Sequence, residues 1–120
     1  MKSASPYILV DNCIEVIEFY RNILNGSIQN VQESEDGKCL HAELAVGNNI
    51  IHFSDVFEHT KQGDNGQIFL EFESEEDIRR AYQSLIVDGK ITDELQDTEG
   101  TLQAKLVDQF GVGWVLHYQA

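Results

Sequence analysis

The chain contains little of several residue types, and each shortage narrows its class. It has one proline, two cysteines and eight lysine and arginine residues in a length of 120. A chain so poor in proline is not a low-complexity or collagen-like segment. Cys13 and Cys39 lack the spacing of a zinc site and are too few for a disulfide framework. We expect free, partly buried thiols that take no part in catalysis.

Basic residues are outnumbered by 21 acidic ones, which gives a formal net charge of −13. A polyanion is repelled by such a protein at long range, so we expect no nucleic-acid partner and no membrane partner. The segment 1–6 lacks the apolar stretch of a signal peptide, and no later stretch is long enough to span a bilayer. The prediction is therefore a cytoplasmic protein.

The composition, 42% hydrophobic and 24% charged, is typical of one globular domain. Apolar residues at helical spacing predict two helices. The first follows Asn12, with Glu15 in capping-box position, and ends at Asn25-Gly26. The second begins at Ser74 and ends at Asp88-Gly89. Their predicted buried stripes are Cys13, Val16, Ile17, Tyr20, Ile23 and Leu24, and Ile78, Ala81, Tyr82, Leu85 and Ile86.

Alternating polar and apolar residues predict eight strands around these helices. They span 6–10, 27–33, 38–46, 49–54, 67–72, 90–94, 101–107 and 113–118. The element order is therefore βαβββ, followed by βαβββ again, which places the chain in the α+β class.

The repeat is also visible in the residues themselves. The segment 40–44, Leu-His-Ala-Glu-Leu, recurs 62 positions later as Leu-Gln-Ala-Lys-Leu, and Tyr20 and Tyr82 are separated by the same interval. A shared offset through helix and strand indicates an internal duplication. We predict a single domain, 1–120, composed of an N-terminal module, 1–57, a linker, 58–66, and a C-terminal module, 67–120.

Strand alternation predicts one apolar sheet face, which includes Leu40, Ala42 and Leu44, and one mixed face of polar and aromatic side chains. Antiparallel sheets commonly leave one face in water, so a mixed face is consistent with plain surface. Histidines and aromatic rings are nevertheless more typical of a binding face. The candidate ligand-binding residues are Tyr7, His41, Glu43, His52, Gln67, Phe69 and Gln103.

A series of motifs runs in order through nearly the whole chain. They are 6–11, Glu15, 18–20, 24–26, 41–44, 51–55, 108–111 and Trp114. Together they resemble PhnB-like members of the vicinal oxygen chelate superfamily, the group of glyoxalases, bleomycin-resistance proteins and extradiol dioxygenases. The resemblance implies tandem βαβββ modules that form a curled mixed sheet cup around a small organic molecule, with the helices on the convex side. It also implies a homodimer.

Metal-dependent members of that superfamily place histidine or glutamate ligands at four strand positions. The resemblance places Ser5, His52, Gln67 and Val115 at those positions. Serine and glutamine are poor substitutes for imidazole or carboxylate, and a firmly held divalent ion needs three or more protein donors. We therefore expect no resident metal and no other cofactor. A different set on the mixed face is conceivable, formed by His41, Glu43, His52, Glu71 and His117, but their spacing fixes no geometry.

Three functions remain open, and no catalytic residue is assigned. The first, which we predict, is a metal-free protein that binds a small organic molecule of unassigned identity. The second is a lyase, isomerase or dioxygenase-type enzyme of the same superfamily, which uses a divalent metal or a histidine, His41 or His52, beside Glu43 as acid or base. The third is an interaction domain with an unused sheet face. No nucleophile elbow or phosphate-binding glycine loop is present.

Overall fold

The computed structural model of the chain describes residues 1–56 and 66–120. The chain divides into two compact units, residues 1–60 and 61–120, and each contains one βαβββ module. Apart from Gly66, the predicted linker lies outside the described residues. In the segments that the structure describes, no helix is long and apolar enough to cross a membrane.

The first module is a four-stranded mixed sheet with one helix. Its elements are β1 (Tyr7–Val10), α1 (Cys13–Leu24), β2 (Ser27–Glu33), β3 (Cys39–Val46) and β4 (Asn49–Asp55). The strand order is β1-β4-β3-β2, in which β1 runs parallel to β4 and the other pairs are antiparallel. Gly37 and Gly47 lie in the two hairpin turns at positive φ, which glycine adopts without steric cost.

The second module repeats this arrangement. Its elements are β5 (Ile68–Glu71), α2 (Glu75–Leu85), β6 (Lys90–Thr98), β7 (Thr101–Val107) and β8 (Gly113–Gln119). The strand order is β5-β8-β7-β6, again with one parallel pair, β5 with β8. The predicted element order is confirmed. Most boundaries agree within one residue, while β6 extends four residues beyond its predicted end.

In the first module, α1 covers one face of the sheet. In each module we term the side of the sheet that packs against the helix the helix face, and the opposite side the open face. Val16, Ile17 and Tyr20 of α1 are buried, as predicted. The Tyr20 ring stacks against Phe53 of β4 with their centroids 5.6 Å apart. Burying a side chain of this size contributes roughly 2–3 kcal/mol to stability, so the pair anchors the helix to the sheet.

In the second module, the buried carboxylate of Asp108 organises the turn between β7 and β8. Its Oδ1 accepts the backbone N–H groups of Phe110 and Val112 at 2.9 and 3.0 Å, and its Oδ2 accepts the indole Nε1–H of Trp114 at 2.7 Å. Both Asp108 and Trp114 are buried. The three donors satisfy a carboxylate that would otherwise destabilise the core.

Helix α1 begins differently from the prediction. Asn12 adopts a left-handed conformation, φ 58° and ψ 54°, and its side chain makes no cap hydrogen bond, so the predicted capping box with Glu15 is wrong. Instead, the two carboxylate oxygens of Asp55 accept the N–H groups of Cys13 and Cys39, at 2.9 and 2.7 Å. The carboxylate at the end of β4 therefore caps the helix and fixes the start of β3.

The start of β3 also departs from the predicted alternation. Leu40, predicted on the apolar face, is 46% exposed, while Cys39 is fully buried. Strand β2 pairs Gln32 with His41 and then Glu33 with Cys39, so Leu40 is an unpaired extra residue on β3. Such a β-bulge reverses the direction of the side chains beyond it, which explains why the alternation prediction fails only at this end.

Both cysteines are free thiols, as predicted, and are fully buried rather than partly so. Burial raises the pKa of the Cys13 thiol, and the neighbouring Cys39 thiol raises it further. A buried, protonated thiol is a poor nucleophile. The thiol pair is therefore part of the core of the first module.

Candidate functional site

The open face of the first module carries three near-parallel rings, Tyr7 on β1, His41 on β3 and His52 on β4, which we term the ring cluster. Their centroids are 6.0 Å apart for Tyr7 and His41, 6.2 Å for Tyr7 and His52, and 5.0 Å for the two histidines. The ring planes agree within 8°. Strand pairing sets Tyr7 directly beside His52, opposite in direction to the helix-packed Phe53.

The two histidines of the ring cluster are hydrogen-bonded to each other. His41 Nε2 and His52 Nδ1 are 2.8 Å apart, while the ring centroids are 5.0 Å apart and the planes are nearly parallel. This combination requires the rings to meet edge to edge, because stacked rings would not direct these nitrogens at each other. One nitrogen donates its N–H and the other accepts with its lone pair, so a single proton lies between the two nitrogens.

Glu43 lies beside this pair and is held by two amides. Its Oε1 accepts from Gln29 Nε2 and from Asn30 Nδ2, both at 2.9 Å. Its Oε2 lies 4.0 Å from His52 Nδ1. The two amide donors hold the pKa of Glu43 below its ordinary range, and His52 and His41 act in the same direction more weakly. The open face therefore presents an ionised, oriented carboxylate next to two imidazoles.

A second β-bulge brings Asn30 to Glu43. Gln29 pairs with Glu43 and Gln32 with His41, so residues 30 and 31 of β2 lie opposite one residue of β3. Asn30 adopts a φ of 52°, a region that asparagine tolerates better than most residues. Neither amide was predicted from the sequence, because regular alternation through β2 does not bring Asn30 to Glu43. The asparagine within that strand was the available signal for a bulge.

The other three candidate residues lie in the second module. Phe69 of β5 is 58% exposed, and its ring centroid lies 5.5 Å from that of His117 on β8. Gln103 of β7 is the strand-pairing partner of His117. Gln67 is exposed and precedes β5, where its Cγ lies near Gly113. His117 thus neighbours both Phe69 and Gln103, although it was not among the candidate ligand-binding residues.

Within the described residues, His117 Nδ1 is a buried polar atom without a hydrogen-bond partner. Gln103 also lines a cavity of about 320 Å³ together with side chains of β6, among them Asp93 and Glu94.

Of the seven candidate ligand-binding residues, the structure brings four together, namely Tyr7, His41, Glu43 and His52. Of the remaining three, Phe69 and Gln103 both neighbour His117 in the other module, and Gln67 lies near Gly113.

Comparison with known proteins identifies the family. A sequence model of the Glyoxalase/Bleomycin resistance protein/Dioxygenase superfamily matches residues 4–116. The chain belongs to this superfamily. No match among curated proteins reached significance.

Several solved structures share the fold of this superfamily member over nearly its whole length. Protein PA1353 from Pseudomonas aeruginosa is 22% identical with a TM-score of 0.87, covering 99% of this chain and 98% of that one. The PhnB protein from Bacillus cereus is 19% identical with a TM-score of 0.86, covering 98% and 99%. The fosfomycin resistance protein FosX from Listeria monocytogenes is 12% identical with a TM-score of 0.72, covering 100% and 94%. This likeness confirms the predicted α+β fold of tandem βαβββ modules.

The metal positions that the family resemblance implies do not form a metal site in this superfamily member. Val115 of β8 offers no donor atom, and it pairs with Phe69 on one side and Lys105 on the other. Ser5 and Gln67 lie at exposed positions before β1 and β5. Only His52 is a strong ligand, and one imidazole does not hold a divalent ion firmly.

Proposed function

We propose that this protein binds a small organic molecule on the open faces of its sheets. The observation that carries the proposal is the ring cluster with Glu43 beside it: three rings and one ionised carboxylate converge on one face of the first module. The proposed contacts in the second module are Gln67, Phe69 and Gln103. Ligand sites typically combine apolar or aromatic walls with a few oriented polar groups.

The exposure of the rings supports binding rather than a purely structural role. Tyr7 and Phe69 are 56% and 58% exposed, although each neighbours a histidine on the same face. Large aromatic rings left in water on a sheet face are typical of sites that bury them against a partner. The ligand that fits best has a planar, unsaturated part, which can pack against Tyr7 or Phe69.

Charge restricts the ligand further. The carboxylate of Glu43 and a formal net charge of −13 both disfavour an anionic ligand. A neutral or positively charged molecule with an N–H or O–H donor can interact with Glu43 Oε2 and with the free edge of the histidine pair.

An enzyme of the lyase, isomerase or dioxygenase type is the second candidate, and the hydrogen bond between His41 and His52 favours it. An imidazole pair that shares a proton can accept a proton from a bound molecule at one ring and release one from the other. Glu43 lies beside this pair, with its Oε2 4.0 Å from His52 Nδ1. Turnover of a bound molecule, abolished by His52→Gln, would support this function over binding alone.

We also propose that the two modules form one domain that assembles as a homodimer in the cytoplasm. Each module has two sheet edges, at β1 and β2 in the first and at β5 and β6 in the second. Pairing of subunits is a common way to cover such edges, and two free buried thiols suit a reducing compartment. Sedimentation at micromolar concentration should give twice the chain mass.

A screen of planar heteroaromatic fragments, observed by ligand NMR, tests the proposed function. Cationic and neutral fragments should bind the wild-type protein, and Tyr7→Ala and His52→Ala should each weaken them by at least about tenfold. Val87→Ala serves as the control because Val87 is a 54% exposed apolar residue outside both groups of candidates. Fragments that bind all of these variants equally well would contradict the proposal.

A further inference from the structure

We propose that His41, Glu43 and His52 form a binding site for one divalent transition-metal ion of the zinc or cobalt type. The site lies entirely within the first module, on β3 and β4, and shares only His52 with the four metal positions implied by the family resemblance. The proposal concerns the ion alone and does not depend on the identity, or the existence, of an organic ligand.

The distances between the donor atoms suit one ion. The three candidate ligand atoms lie within 4.8 Å of one another. His41 Nε2 is 2.8 Å from His52 Nδ1, which in turn is 4.0 Å from Glu43 Oε2. Donors at about 2.0–2.1 Å from a tetrahedral ion are separated by roughly 3.3 Å, which lies between these two values. Small side-chain shifts would therefore let an ion replace the proton between the histidines.

The carboxylate is already oriented for a metal. Gln29 and Asn30 occupy Glu43 Oε1 at 2.9 Å each, which leaves Oε2 on the side of His52. Outer partners of this kind fix the orientation of ligating groups in metal sites. The Glu43 side chain is 14% exposed and that of His52 is 26% exposed, so an ion can reach the site from solvent.

The donor set selects the class of ion. Two imidazoles and one carboxylate suit zinc, cobalt, nickel or copper, whereas magnesium and calcium prefer sites made wholly of oxygen atoms. Three protein donors leave a coordination position for water or another small ligand. The carboxylate charge and the acidic surface of the chain add a favourable electrostatic contribution to cation binding.

The second module offers an internal comparison. Glu43 pairs with His52 across β3 and β4, and the corresponding pair across β7 and β8 is Lys105 with Val115. The position of His41 is occupied by Gln103, 62 residues later. An ammonium group and an aliphatic side chain cannot ligate an ion, so we expect one ion per chain.

Titration of tag-free, chelator-treated protein with Co²⁺, followed by visible absorption, tests the proposal. The expected result is one Co²⁺ per chain with ligand-field bands of a four- or five-coordinate ion, displaced stoichiometrically by Zn²⁺. His41→Gln and His52→Gln should each weaken binding by at least about 100-fold, and Gln29→Ala, as a positioning residue, by about tenfold. His117→Gln, which removes a histidine from the other module, should leave the titration unchanged.

Several results would overturn the proposal. They are an absence of ligand-field bands, equal binding by wild type and His52→Gln, or an equal loss in His117→Gln. Tyr7→Ala separates this site from the proposed function, since Tyr7 donates nothing to the ion. If Tyr7→Ala retains Co²⁺ binding and loses fragment binding, the result supports both the metal site and the proposed function. If Tyr7→Ala loses Co²⁺ binding, the result contradicts the assignment of the three ligands.

Discussion

The two modules of the chain are alike on their helix faces and different on their open faces. Ala42 and Leu44 of β3 correspond to Ala104 and Leu106 of β7, and all four are fully buried. The bulge that brings Asn30 to Glu43 also has a counterpart, since residues 94 and 95 of β6 lie opposite one residue of β7. The backbone irregularity is therefore repeated even where the side chains it positions are not.

The open faces share almost no chemistry. Tyr7, His41, Glu43 and His52 of the first module correspond to Phe69, Gln103, Lys105 and Val115 of the second. An aromatic ring is kept at the first of these positions, while both imidazoles are lost and the carboxylate is replaced by an ammonium group. Packing restricts substitutions on a helix face, whereas an open face can change freely, so one copy can carry a site that the other lacks.

The shared core gives the largest expected effect. Ile17→Asp in α1 and Leu85→Asp in α2 each place an unpaired charge in a site that is fully buried, and both should prevent folding. Circular dichroism and solubility are the measurements, with the exposed Val87→Asp as the control. If either variant still melts cooperatively, the two modules are not parts of one cooperative structure that needs both cores in order to fold.

The two buried aspartates give the next largest effect. Asp108→Ala leaves three donors without their acceptor and Asp55→Ala leaves two. Each unsatisfied buried group costs about 1–3 kcal/mol, so both variants should lose about 2–5 kcal/mol of unfolding free energy in urea, with Asp108→Ala the larger. The exposed Asp93→Ala should change it by less than about 0.5 kcal/mol. Equal stability of all three variants would show that neither carboxylate supports its module.

These aspartates also mark the limit of prediction from the sequence. Periodicity located both helices and all the strands described, because the alternation of residues such as Ala104 and Leu106 with polar ones is local, but it ended β6 four residues early. The cap of α1 by Asp55 was not predictable, since it joins residues 42 positions apart. The alternation of side chains along the strands predicted that His41, Glu43 and His52 lie on one face. Only the register of β3 with β4 and the bulge at Asn30 bring their donor atoms together.

Transferring the site to the second module sharpens the comparison. Gln103→His, Lys105→Glu and Val115→His together should raise the Co²⁺ stoichiometry from one to two per chain. The new site should be weaker by about 10- to 100-fold, because Asp93 and Glu94 occupy the places of the two amides and cannot donate to a carboxylate. A matched triple variant with Gln103→Asn, Lys105→Gln and Val115→Ile should bind one ion. A stoichiometry that stays at one in the first triple variant would mean that strand register alone does not make the site.

The exposed ring that both modules keep should give the smallest effect on stability. Tyr7→Ala and Phe69→Ala remove side chains that are 56% and 58% exposed, so each should change the unfolding free energy by less than about 0.5 kcal/mol. Phe53→Ala, at a fully buried aromatic, is the matched control and should lose about 3–5 kcal/mol.

Fragment binding should follow the opposite order from stability. Tyr7→Ala should weaken it more than Phe69→Ala, because the Tyr7 ring lies near both His41 and His52, whereas Phe69 lies near a single histidine ring, that of His117, among the described residues. A loss of stability above about 2 kcal/mol in either variant would show that its ring is covered in the folded protein. An equal effect of both variants on binding would mean that the two open faces contribute alike, and that the chemistry confined to the first module does not determine what the protein binds.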